Sequence, residues 1–483
     1  MGKKEVGQKA KSSRKFDLIV IGGGTAGTQI AFDSTKKNVK TALIEPNFMG
    51  GVCLNTGCIP TKTLLRSAEL YSEIQNSSEF GISVSGASVD FAAIMQRARG
   101  IVDASRKGVE LGLNNKNLTI FKDHASFVGE RKIQVGEEVI EGNKIIIATG
   151  SKPHVPPIPG INEIDYFVSG TQTNSPEDIL NIKNLPQTIV IIGGGYIGFE
   201  FATFFYELGS KVVILEGMDR VLGMLDSEIL EILLKRYDPA RFSVLTGIKI
   251  SKVSAEKGIK KVIFDDNQGK QNSVSGDALL VATGRIPSSF ELHPDKSGIK
   301  AGKRGEIVVG EFLETSCKGI YAVGDVTGKV MFAHTAKREG VIAMGNALGN
   351  SKVKKKFNMD AVPWAVFVNP PIAGVGQTNA KGAGILKAYF ARAARSGIIG
   401  NTKGILKVWF NKKSGKILGA EMIGLDSDDL ISEFSALISC GGTVENLREV
   451  IHIHPTLSEV VDSLKEEKVE VKKSKDKKKA MVR

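Results

Sequence analysis

The sequence predicts an α/β protein: two domains built on parallel sheets, followed by a C-terminal α+β domain. Three observations predict it. A strand–glycine turn–helix–strand unit occurs twice, over residues 17–45 and 188–216. Each copy is followed at a distance by an apolar strand ending in Ala-Thr-Gly-x-x-Pro, at 145–153 and 279–287. From about residue 357 the texture changes to short strands mixed with helix.

The repeat reads DLIVIGGGTAGTQIAFDSTKKNVKTALIE in its first copy and TIVIIGGGYIGFEFATFFYELGSKVVILE in its second. The interval from first glycine to closing acid is the same in both, Gly22 to Glu45 and Gly193 to Glu216. This is the dinucleotide-binding βαβ fingerprint, which gives two Rossmann-like domains and two dinucleotides for one chain. Gly22 and Gly193 allow the tight turn from strand to helix. Gly24 and Gly195 let the backbone approach a pyrophosphate. Gly27 and Gly198 let the helix pack closely. The free N–H groups at the helix N-terminus face the phosphates, and Glu45 and Glu216 are placed to accept hydrogen bonds from a ribose.

Between the two copies lies GGVCLNTGCIPTKTLL, with Cys53 and Cys58 five positions apart in a glycine-rich turn that runs into a predicted helix, TKTLLRSAELYSEI. A thiol at a helix N-terminus has a depressed pKa, because the helix dipole favours the thiolate. Two such thiols suit a reversible disulfide. A metal site is the competing reading, but it needs more ligands, and Cys317 and Cys440 lie in other segments without companions. No metal site is expected.

The segment GIYAVGDVTG at 319–328 is a further apolar strand closing in Gly324-Asp325. Beyond it, LKVWF and KILGAEMIG read as strands and 426–440 as a helix. Near the end stands IHIHPTLSEVVDSL, where Glu459 is close enough to orient the His454 imidazole. A histidine so held can act as a base toward a thiol. His452 takes the plainer reading of a surface or packing residue.

Composition bounds the rest. The 483 residues suggest roughly three or four domains. Four cysteines in so long a chain are no disulfide framework. No apolar run approaches the ~18 residues of a membrane helix, and the basic N-terminus has no apolar signal core, so a cytoplasmic address is expected. The net charge of +13 invites a nucleic-acid reading, but residues 1–15 and 465–483 each carry +5, which leaves about +3 on the body. Both tails lack apolar residues to bury and read as disordered. Neither nucleic acid nor membrane is an expected partner.

Taken together, GGGTAG, GGVCLNTGCIPTK, GGGYIGFE, ATGRIP, YAVGDV and HPTLSE resemble, in order and spacing, the class I flavoprotein disulfide reductases, which include dihydrolipoamide dehydrogenase, glutathione reductase and mercuric reductase. The resemblance runs from about Phe16 to Leu464. It implies FAD in the first fold, with Gly51, Thr149, Gly150, Gly324, Asp325 and Ala333 joining Gly22, Gly24, Gly27 and Glu45 around it. It implies a nicotinamide in the second, where Tyr196, Ile197 and Gly284 join Gly193, Gly195 and Glu216. Cys53 looks like the interchange thiol and Cys58 like the charge-transfer thiol. Lys62 would pair with Glu200 near the flavin. His454 and Glu459 would reach into the partner subunit's site, which makes a homodimer with shared sites the working unit.

The resemblance also sets expected boundaries. The FAD domain spans 16–153 and 281–356, the NAD(P) domain 154–280, and the dimerisation domain 357–464, with basic tails at 1–15 and 465–483. Glu216 favours NAD, because a carboxylate repels the 2′-phosphate of NADP. HPTLSE and MFAHTAKREG resemble dihydrolipoamide dehydrogenase, so the expected reaction is electron transfer between NAD(H) and a dithiol or disulfide, such as a lipoyl group on a separate protein. A mercuric-reductase-like enzyme acting on Hg(II) or another thiol substrate is the alternative. Pro371 departs from the glutamate usual in the family.

Overall fold

The computed structural model describes residues 14–172, 175–349 and 353–467. These form two compact units. One holds the chain up to Met224, Tyr237–Asn358 and Phe367–Asn369; the other holds Leu225–Arg236, Met359–Val366 and the chain from Pro370. Most of both basic tails lies outside the described residues. The parts inside are ordered differently from the expectation. Arg14 and Lys15 open the first strand, and Lys465–Glu466 pair with Leu386 and Lys387. Backbone pairing with a neighbouring strand fixes these residues despite their polar side chains.

In the first unit, the strand Arg14–Ile21 is the centre of a seven-stranded sheet. It pairs in parallel with Thr41–Ile44 on one side and Glu138–Ile147 on the other. Strand Ile320–Ala322 joins that sheet in parallel against Ile145–Ile147, so the Gly324-Asp325 turn leaves the sheet beside the first repeat. The central residues Leu18–Ile21 and Ile145–Ile147 are buried apolar runs without alternation, as strands covered on both faces must be. A second, four-stranded parallel sheet runs Phe242–Leu245, Lys211–Leu215, Thr188–Ile192, Ala278–Val281. The two repeats share one register: Ile21 lies beside Ile44, and Ile192 beside Leu215.

The Ala-Thr-Gly-x-x-Pro segments, separate in sequence, pair with each other. Ser151–Pro153 runs antiparallel to Arg285–Pro287. A three-stranded antiparallel meander over Lys249–Gly276 completes this unit.

The second unit is α+β. Its six-stranded antiparallel sheet includes Ile405–Phe410 and Ile417–Ile423, the two strands read from LKVWF and KILGAEMIG. The helix expected over 426–440 is Ser427–Ser439; its Ile431, Phe434 and Ile438 pack on Val375, Ala420 and Met422. No helix among the described residues is long and apolar enough to cross a membrane.

Candidate active site

The glycine turns meet the demands the sequence placed on them. Gly22 and Gly193 have φ of +106° and +108°. A Cβ there would lie 2.3 Å from the Ala148 carbonyl oxygen and 2.4 Å from that of Ala282. A side chain at Gly27 or Gly198 would strike the carbonyl of Gly22 or Gly193 at 1.7 and 2.1 Å, so no other residue permits this approach of helix to turn. Each closing acid grips its own turn. Glu45 accepts from the Gly23 N–H at 2.7 Å and the Asn47 N–H at 2.8 Å; Glu216 accepts from Gly194 and Met218 at the same distances. A carboxylate oxygen has a second lone pair, so this grip leaves acceptor capacity for a ribose hydroxyl.

The residues fit two dinucleotides. Gly195, Gly150 and Gly284 face open space, with nothing within 4 Å of a built Cβ. Gly51 comes so close to Gly24 that a Cβ on it would lie 2.7 Å from the Gly24 Cα. The Thr149 hydroxyl is buried and has no hydrogen-bond partner among the described residues, as a group awaiting a polar ligand would be. Asp325 accepts from Ser151 Oγ at 2.5 Å, and Gly324 donates its N–H to Glu339 at 2.6 Å. Burial pushes the Glu339 carboxyl up to about 7. Ala333 opens the helix Ala333–Leu348 next to this turn. Tyr196 and Ile197 are the first two residues of the helix Tyr196–Glu207, and the Tyr196 ring meets Phe332 edge-on at 5.8 Å.

The cysteines do not sit in a turn, as the glycines around them suggested. Cys53 lies in a short helix, Gly51–Asn55, and Cys58 is the first residue of the 18-residue helix Cys58–Gln75. Gly50 and Gly51, both at positive φ, start the first of these. Helical geometry here directs Cys53 and Cys58 toward each other while the second helix aims its N-terminus at Cys58.

The two thiols are unequal. Hydrogen bonding from Cys53 brings Cys58 down to about 7, against burial, with help from the Lys62 charge and opposition from Glu200. Cys53 moves the other way, because its hydrogen bond to Cys58 and its burial both hold the proton on it. When the reduced pair ionises, the proton therefore leaves Cys58 and stays on Cys53. Lys62 Nζ binds both oxygens of Glu200, at 2.7 and 2.8 Å, joining the helix that begins at Cys58 to the helix of the second repeat.

His454 Nδ1 lies 2.7 Å from Glu459 Oε1, and Glu459 Oε2 accepts from the Thr456 N–H at 2.8 Å. The hydrogen bond with His454 lowers the Glu459 carboxyl. Both residues belong to the second unit, and the His454–Pro455 peptide is cis. No group of three or more metal-ligating side chains occurs among the described residues.

Three residues of this site were not singled out from sequence. Phe367 places its ring 4.3 Å from Lys62 Nζ and donates its N–H to Glu200. Arg285 donates to Ser151 Oγ and to the carbonyls of Ser151, Ser169 and Gly170, fixing the hydroxyl that binds Asp325. Thr25 hydrogen-bonds Cys53. Arg285 was visible in ATGRIP, a charged residue in a repeated apolar context. Phe367 carried no signal, lying far along the chain in an ordinary apolar stretch.

Residues 16–340 match the pyridine nucleotide-disulphide oxidoreductase family, and residues 362–464 match the dimerisation domain of the same family. The chain is 35% identical to a dihydrolipoyl dehydrogenase of Chlorobaculum parvum, over 94% of this chain and 97% of that one. It is 32% identical to a mercuric reductase of Staphylococcus aureus, over 92% of this chain and 81% of that one. Among solved structures, the HOCl-induced flavoprotein disulfide reductase RclA of Escherichia coli superposes with a TM-score of 0.81 at 31% identity, covering 93% of this chain and 99% of that one. The match to the dimerisation domain supports a homodimer. With both family domains matched in order and across nearly the whole chain, the protein belongs to the pyridine nucleotide-disulphide oxidoreductases, flavoenzymes that work with FAD and NAD(P)H.

Proposed function

We propose that this chain is a dihydrolipoamide dehydrogenase-type enzyme, which oxidises a small dithiol with NAD⁺ in a cytoplasmic setting. The observation that carries the reading is the pairing of His454 with Glu459 in a chain that also holds the unequal Cys53–Cys58 pair. A base is needed where the substrate is a thiol that must lose a proton. The first fold, 16–153 with 281–356, would hold FAD through Gly24, Gly51, Thr149 and Asp325. The second, 154–280, would hold NAD through Gly195, Tyr196 and Glu216.

In this reading His454 Nε2 takes the proton of one substrate thiol, and the thiolate so formed attacks Cys53 Sγ of the oxidised pair. A substrate–Cys53 disulfide forms, the Cys53–Cys58 bond breaks, and Cys58 leaves as the thiolate its surroundings favour. The second substrate sulfur attacks the substrate sulfur bonded to Cys53, closing the substrate disulfide, and its proton goes to the departing Cys53, while the first proton stays on His454. Glu459 holds the Nδ1 side and stabilises the imidazolium. Lys62, kept in place by Glu200, favours the Cys58 thiolate. FAD, when bound, carries the electron pair between Cys58 and the nicotinamide.

A second reading has its own support. The chain resembles the mercuric reductase above, and another structure of RclA, with a TM-score of 0.81 and 30% identity, is a Cu(II) complex. Thiols poised beside a reductant could equally pass electrons to a soft metal ion. Anaerobic turnover on a panel of dihydrolipoamide, glutathione disulfide, Hg(II) and Cu(II) separates the two. Dithiol oxidation that His454→Ala abolishes supports the first reading; metal-ion reduction indifferent to His454→Ala, with no dithiol turnover, replaces it.

A further inference from the structure

His452 lies two residues before His454 and is held in a different way. Ile451, Ile453 and the His454 side chain are 95%, 77% and 73% exposed, whereas the His452 side chain is only 5% exposed. It is the single inward anchor of the four residues 451–454. Its Nδ1 lies 2.8 Å from Asp462 Oδ1, and its Nε2 lies 3.5 Å from Glu433 Oε2. Asp462 belongs to the 3-10 helix Leu457–Ser463, which also carries Glu459. Glu433 belongs to the helix Ser427–Ser439.

The spacings match. Residues three apart on a 3-10 helix eclipse one another and are separated by about 6 Å along its axis. Residues two positions apart in a segment that is neither helix nor strand can be separated by up to about 7 Å. Histidines at 452 and 454 can therefore meet acids at 462 and 459 as two rungs of one ladder, and both rungs are present, at 2.8 and 2.7 Å. The inner rung holds the imidazole proposed to act on substrate. The outer rung is buried beside a regular helix, with Glu433 Oε2 3.5 Å from its Nε2 and no hydrogen bond to that nitrogen, and its bond to Asp462 resists sliding of the segment about the inner rung.

We infer that His452, with Asp462 and Glu433, is a positioning residue that sets the aim of the His454 imidazole. This rests on the reading of His454 as the base for the substrate thiol. A base displaced by about 1 Å can lose up to about 10² in rate. On this inference the effect of His452 travels only through His454.

The experiment is a mutant cycle on the purified holoenzyme, followed as dihydrolipoamide oxidation by NAD⁺ and, in parallel, as NADH-dependent ferricyanide reduction. His452→Ala should lower dithiol turnover by about 10- to 100-fold and leave ferricyanide reduction and FAD content unchanged. His452→Asn, which keeps an N–H donor for Asp462, should recover most of the loss. In a His454→Ala background, His452→Ala should cost nothing further, because a residue acting through another shows no effect once that other is gone. A full additional loss in that background, or equal loss of both activities, overturns the positioning role in favour of a merely structural one. Wild-type dithiol turnover in His452→Ala overturns it outright. If His454→Ala itself leaves dithiol turnover intact, or the wild type has none, the underlying reading of the base fails instead.

Discussion

Lys62 Nζ sits between the two oxygens of Glu200, 138 residues further along the chain, and Glu200 is only 6% exposed. The pair joins the helix that begins at Cys58 to the helix of the second repeat. Lys62 and Glu200 pull the Cys58 thiol in opposite directions. Lys62→Met should therefore move the Cys58 ionisation upward from about 7, and Glu200→Gln should not move it upward. The check is thiolate absorbance against pH for the reduced protein, with Cys53 in place. Cys58→Ser should abolish the long-wavelength absorbance that two-electron reduction gives the holoenzyme, and Cys53→Ser, which frees Cys58 without any reductant, should show that absorbance before reduction; persistence of the band without Cys58 reverses the assignment of the thiols.

The expected nicotinamide preference rests on Glu216, which holds the Gly194 and Met218 N–H groups at the turn of the second repeat. A fixed carboxylate there repels a 2′-phosphate. NADH should exceed NADPH in kcat/KM by about tenfold or more, a difference of about 1.4 kcal/mol. Glu216→Ala should narrow the ratio, at some loss of stability because the turn is no longer held. A preference for NADPH in the unaltered protein sinks the argument from this side chain.

Sharing of the site between subunits can be tested by mixing. Cys53→Ser and His454→Ala homodimers should each be nearly inactive in dithiol oxidation. If the base acts across the dimer, a heterodimer of the two has one doubly damaged site and one intact site, and recovers up to about half of normal activity. Heterodimers that form but stay inactive place His454 with the thiols of its own chain, or away from them altogether.

Stability in the second unit should depend on pH through Glu421. Its side chain is fully buried; Oε1 accepts the Asp226 N–H at 2.8 Å, and its cross-strand neighbour is Lys407, which pairs with Asp226. Burial raises the Glu421 carboxyl to about 8. A group whose folded pKa is raised binds a proton on folding, so its contribution is whole below the ordinary value of 4.5 and is lost as pH rises through about 8. Denaturant unfolding of the unaltered protein should lose stability across that window, on the order of a few kcal/mol. Glu421→Gln should flatten the slope and leave the protein more stable at pH 8. An unchanged slope refutes a protonated Glu421.

The architecture of the nucleotide folds and the spacing of the thiol pair are legible in the amino-acid sequence. Those features are local: a turn with no room for a Cβ, a βαβ unit of fixed length, two cysteines beside one helix start. Each is set by residues within about thirty positions, and each copy of the repeat vouches for the other. The glycines around the cysteines misled, because glycine marks both turns and the left-handed entry to a helix; only the backbone at Gly50 and Gly51 decided between them. Tertiary structure alone decided the rest. The ring of Phe367 over Lys62, the Arg285–Ser151–Asp325 chain and the anchoring of His452 between Glu433 and Asp462 each join segments without a shared periodicity. Their residue types are common and their spacing in the chain arbitrary. What selects them is which faces meet once apolar strands and helices have packed, and that meeting is a property of the whole core, not of any window of sequence.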